Sequence, residues 1–96
     1  MLDAILRTAD REAIRRLAEK HGAANVRIFG SAVRKERTIG SDLDVLVTMA
    51  AGRTLLDLIG LEQDLAELLG HPVDVVSDAG LSPYLRSRIV ADAVPL

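Results

Sequence analysis

Two aspartates one residue apart, Asp42 and Asp44, open a segment that reads as a strand from Asp42 to Thr48. Side chains alternate faces along a strand, so both carboxylates leave on one face while Leu43, Val45 and Val47 leave on the other. The usual rise sets the two acids roughly 7 Å apart. Closely spaced carboxylate oxygens are what Mg2+ prefers, and a metal pair about 3.5 to 4 Å apart stabilises both the attacking and the leaving oxygen of phosphoryl chemistry. Taken alone, the same two residues also fit an ordinary solvated strand face.

Three further features bear on that choice. Gly30-Ser31 falls at the end of an earlier strand with a helical turn expected beyond it, where free backbone N–H groups and a hydroxyl can hold phosphate oxygens. By itself the dipeptide is equally a plain turn. Asp74 lies among Val73, Val75 and Val76, and a charge buried in such a strand is costly without a partner. A metal shared with Asp42 and Asp44 supplies one; water at a strand edge or an arginine is the other solution. Arg34, three residues past Ser31, can fold back toward the phosphates and offset charge on a leaving pyrophosphate, or stay a solvated loop cation like Lys35 and Arg37.

The elements that must position these residues are short. Ile14, Leu17 and Ala18 form an apolar stripe on a helix from about Arg11 to His21, with Gly22 as its C-terminal cap. Asn25 to Phe29 is the first strand, and Phe29 is assigned to the core. A polar stretch from Ala32 to Gly40 begins with a helical turn, and the strand bearing Asp42 and Asp44 follows. Thr54 to Asp57 resembles a capping box that opens a helix to Leu69, with Leu55, Leu58, Ile59, Leu65 and Leu69 turned to the core. Gly60 inside it costs about 1 kcal/mol relative to alanine, which points to close packing there. Gly70 ends the helix, Val73 to Val76 is a third strand, and Ser82-Pro83 starts a last helix through Val90. The order is α-β-(α)-β-α-β-α.

Gly30-Ser31, ten residues, then Asp42-Leu43-Asp44 resembles the G-S-x10-D-x-D signature of the DNA polymerase beta type nucleotidyltransferase superfamily. The strings F-G-S-A-V-R and S-D-L-D-V-L-V, the P-V-D-V-V segment and the closing L-S-P-Y-L-R-S-R-I are similar to its minimal, MNT-type members. The resemblance covers nearly the whole chain and implies one minimal nucleotidyltransferase domain over residues 1–96. The fold it implies is α+β, a small mixed sheet packed by helices. Gly30 and Ser31 would anchor the triphosphate of ATP. Asp42 and Asp44 would ligate two Mg2+ ions, and Asp74 would complete the carboxylate set and activate the acceptor hydroxyl. Residue 74 matches by strand context, whereas 42 and 44 are set by spacing.

Bulk properties narrow the acceptor. The chain has 96 residues, enough for one core and no second domain, and a net charge of -2 that argues against nucleic acid as the main ligand. Phe29 and Tyr84 are the only aromatic residues, too few for a base-stacking platform. There is no cysteine for a disulfide, thiolate metal site or nucleophile, and no apolar run of membrane-spanning length, which fits a cytoplasmic protein. His21 and His71 sit at element ends and read as terminators or surface residues; Arg11, Arg15, Arg16 and Lys20 read as a solvated face. Tyr84, Arg86 and Arg88 fit a partner surface and a plain polar helix face equally.

With so little surface to build an acceptor pocket, a protein acceptor fits better than a small molecule such as an aminoglycoside. MNT-type proteins similar to this chain are antitoxins of helical HEPN-type ribonuclease toxins, some of which they silence by transferring AMP to a tyrosine. The resemblance therefore implies an adenylylating antitoxin with a HEPN-type partner. The alternative is a non-catalytic module that covers the toxin's cleft.

Overall fold

The computed structural model describes residues 8–30 and 43–96. Among these, helix α1 (Thr8–Lys20) leads into β1 (Ala23–Phe29), β2 (Leu43–Met49), α2 (Leu55–Leu69), β3 (Val73–Ser77), a 3-10 turn (Asp78–Gly80), α3 (Pro83–Asp92) and β4 (Val94–Pro95). The helical turn expected after Ser31 lies outside the described residues. The strands form one sheet in the order β3-β2-β1-β4, with β2 and β3 parallel and the other two pairs antiparallel. This is the mixed α+β architecture expected from the sequence.

The short final strand was not anticipated. Val94 and Pro95 pair with Ile28 and Arg27 at the sheet's edge, where a proline lacking an N–H is tolerated. A two-residue segment containing proline carries no alternation that could mark it as a strand.

One face of the sheet makes the core. Ile28, Leu43, Val45, Val47, Val73 and Val75 meet Ile14 and Ala18 of α1 and Leu61 and Leu65 of α2. The α1 stripe is thus as expected, with Leu17 partly buried beside it. In α2 the buried line runs through Leu58, Leu61, Leu65 and Leu69, and two expectations fail: Leu55 and Ile59 are 68% and 41% exposed. Leu55 sits on the first turn, which overhangs a groove of about 580 Å³ beside β3, and Ile59 lies off the buried line.

Local rules set the ends of α2. The Thr54 hydroxyl accepts from the Leu56 N–H at 3.2 Å while Asp57 Oδ2 accepts from the Thr54 N–H at 2.8 Å, the reciprocal pair of a capping box. Gly70 closes the helix at φ +74°, its N–H donating to the Ala66 carbonyl at 2.9 Å. Gly60 answers a packing demand: a Cβ there would lie 3.0 Å from Cε1 of His21. The His21 Nε2 is 2.7 Å from Oδ2 of Asp64, tying the end of α1 to α2. That contact, with Lys20 nearby, holds the Asp64 carboxyl below its usual range. His21 is therefore an interhelical tie, and His71, half-buried with Nδ1 3.1 Å from the Pro72 carbonyl, lies between α2 and β3.

β1 carries a bulge between Ala24 and Arg27, where Asn25 adopts φ +51°. Asparagine tolerates this left-handed region better than most residues, and the extra residue resets the alternation of the strand. Beyond the bulge Ile28 faces the core while Arg27 and Phe29 turn to the opposite face.

Candidate active site

Asp44 is the second residue of β2 and Asp74 the second residue of β3, and parallel pairing places them directly in register. Their neighbours Leu43, Val45, Val73 and Val75 are all buried in the core, so both carboxylates emerge on the other face. Paired strands lie about 4.8 Å apart, so the two acids stand side by side. Asp44 is half-buried and Asp74 is exposed. Of the placements the sequence left open, Asp74 takes the strand edge: β3 is an edge strand and Asp74 points away from its apolar side. What distinguishes this residue is its register with Asp44.

Antiparallel pairing brings β1 to the same place. Phe29 is the register partner of Asp44, and Gly30 follows it with φ +78°. A Cβ built on Gly30 would overlap a carboxylate oxygen of Asp44. Position 30 therefore requires glycine twice, for its left-handed backbone and for the approach of main chain to acid. The structure brings Gly30, Asp44 and Asp74 to one end of one sheet face.

Ser31, Arg34 and Asp42 lie outside the described residues. Among the described residues no three His, Cys, Asp or Glu side chains form a metal-binding group. The pair that is described consists of hard oxygen donors on the non-core face, the donor chemistry that Mg2+ favours.

Phe29 is not a core residue. Its pairing with Asp44 puts it on the acidic face, where it lines a cavity with Gly30 and α3. The assignment to the core failed because Phe29 directly follows core-facing Ile28, and successive residues of a strand face opposite ways.

Arg27, Thr48 and Asp78 make a second polar cluster on this face that the sequence reading missed. The Arg27 guanidinium donates to Asp78 Oδ2 at 3.1 Å and the Thr48 hydroxyl donates to the same oxygen at 2.6 Å. Arg27 also reaches the Asn25 carbonyl at 3.0 Å. The hydrogen bond from Thr48, followed by that from Arg27 and by the charges of Arg27 and Arg86, holds the Asp78 carboxyl below its usual range. The available signal was Arg27 itself, a cation between Val26 and Ile28 in the strand.

Comparison with known proteins identifies the family of this fold. Residues 10–96 match the model of the nucleotidyltransferase domain family. A protein adenylyltransferase assigned in Methanocaldococcus jannaschii is 44% identical over 75 residues, 78% of this chain and 81% of its own. A solved minimal nucleotidyltransferase superposes with a TM-score of 0.83 at 50% identity, covering 92% of this chain and 90% of its own. A solved MntA toxin–antitoxin complex carrying a Y104A substitution matches with a TM-score of 0.72 at 26% identity, covering 88% of this chain and 69% of its own. The fold and these relatives define an enzyme of the nucleotidyl-transferring class. The chain belongs to the nucleotidyltransferase domain family. Among its described residues no helix is long and apolar enough to cross a membrane.

Proposed function

We propose that this protein transfers AMP from ATP to a tyrosine hydroxyl of a HEPN-type ribonuclease toxin and acts as its antitoxin. The observation that carries the catalytic half is the register of Asp44 with Asp74, with Gly30 packed against Asp44. The partner half rests on likeness to an adenylyltransferase that acts on protein and to the antitoxin of a toxin–antitoxin complex.

Asp42, Asp44 and Asp74 would hold two Mg2+ ions, which supply charge neutralisation at the reacting oxygens when bound. Gly30 and Ser31 receive the triphosphate through main-chain N–H groups and a hydroxyl, with Arg34 returning to the phosphates. The acceptor oxygen attacks the α-phosphorus in line, its bond to pyrophosphate breaks, and Asp74 accepts the hydroxyl proton. No protein nucleophile takes part, so catalysis is positioning and electrostatics.

The test is the intact mass of the toxin encoded beside this chain, incubated with ATP, Mg2+ and either the native chain or the Asp42→Asn/Asp44→Asn variant. One or more added AMP units with the native chain only are expected, on tyrosine by fragmentation. A stable complex whose toxin keeps its mass would show neutralisation by contact and overturn the transferase reading.

A further inference from the structure

A cavity of about 250 Å³ opens beside Gly30, between the end of β1 and one face of α3. Its walls are Phe29, Gly30, Leu85, Arg88, Ile89 and Asp92. The four helical residues follow one another at intervals of three, one and three, which places them on a single stripe of α3. A helix laid on a sheet ordinarily presents an apolar stripe. This one presents two apolar residues and two ionisable ones.

Arg88 and Asp92 stand four apart, a spacing that permits an ion pair on a helix, and they form none with each other or with any other described residue. A cation and an acid thus line the same slot as a phenyl ring and two branched aliphatic chains. The slot adjoins the main chain that packs against Asp44.

We infer that this slot receives the adenine ring of the nucleotide, with Asp92 accepting from its exocyclic amine and Arg88 facing the ring's edge. The inference rests on the nucleotidyl-transfer reading of Gly30 and Asp44. Size supports a partial occupant: sites that enclose a whole drug-sized ligand run to roughly 300 to 1,000 Å³, so this one takes a flat ring system rather than a complete triphosphate. Chemistry separates base from phosphate as well. Apolar walls leave a polyphosphate unsolvated and the Asp92 carboxylate repels it, against the single attraction of Arg88, whereas a heteroaromatic ring stacks on phenyl and aliphatic surfaces and offers an N–H to the acid.

Calorimetric titration of the full chain with Mg2+ and either ATP or inorganic tripolyphosphate tests the assignment. Ile89→Trp fills the slot, and Arg88→Ala, at an exposed position, serves should the tryptophan disturb folding. Each is expected to weaken ATP by roughly tenfold while leaving tripolyphosphate as in the native chain. Tyr84→Trp, on the same helix outside the slot, should change neither. Asp92→Ala should erase a preference for ATP over ITP, which carries oxygen in place of the amine. If the native chain binds ATP and both slot variants bind it equally well, the slot is not the base site although the nucleotidyl-transfer reading stands. A native chain that binds neither ATP nor tripolyphosphate would overturn both.

Discussion

Two polar clusters share the non-core face of this sheet and are built on opposite rules. At one end Asp44 stands beside Asp74, acid next to acid, with a glycine turn against them. Further along, Asp78 meets Arg27 and Thr48, a base and a hydroxyl, with 11% and 14% of the Arg27 and Asp78 side chains exposed. The second cluster pairs its acid with a base of its own; the first sets two acids in register on neighbouring strands. Like charges set directly opposite repel, and the cation-binding role proposed for them would account for that register. Acid content alone does not separate a site from a strut, since each cluster uses the same residue type. The neighbours separate them.

The sharpest way to break this contrast is Asp44→Asn, which keeps shape and removes charge. Nucleotidyl transfer should fall by at least about a hundredfold, because an interaction of several kcal/mol in the transition state goes with it. The melting temperature should scarcely move. A variant that lost activity only in proportion to lost folded protein would make Asp44 a structural acid like Asp78 and erase the difference between the clusters.

The converse substitution is Arg27→Met, which leaves Asp78 without its cation in a nearly closed position. Removing one partner of a buried pair costs about 3 kcal/mol or more, enough in a domain this small to lower the melting temperature by more than about 10 °C. Below that temperature the transfer rate of the folded molecules should match the native chain's. Calorimetry and a rate measured in the cold decide it, and a variant that stays stable but loses transfer would place Arg27 in the reaction instead.

How much of this was open to reading depends on the distance over which each feature is decided. The capping box of Thr54 and Asp57, the glycine cap at residue 70 and the proline start of α3 are settled within one helical turn, and they stand where local patterns put them. Asp44's face follows from strand alternation alone. Asp74's place beside Asp44 needs the parallel register across 30 residues of chain, so its strand could be recognised while its neighbour could not be fixed by spacing. Phe29 was misplaced because its apolar character was weighed above the alternation that sets it opposite Ile28. Arg27 and Asp78 are 51 residues apart, and neither one's neighbours in sequence announce the other.

The smallest expected effect also sharpens the contrast most finely. Thr48→Val keeps the size of the side chain and removes the hydroxyl whose hydrogen bond is the first cause of Asp78's lowered pKa. Loss of one such bond should cost about 1 kcal/mol near neutral pH. The sign of its pH dependence follows from linkage. A carboxyl whose folded pKa lies below the unfolded value of about 3.9 contributes stability that is present above that value and lost as pH falls through the folded one. In Thr48→Val the folded pKa moves back toward the unfolded value, so the variant has less of this stability to lose. Native chain and variant should therefore differ most above about pH 4 and converge below it. Urea midpoints measured from pH 7 to pH 3 give the comparison directly. A gap that stayed constant down to pH 3 would mean that the hydroxyl stabilises through packing, and that Asp78 is held by Arg27 alone.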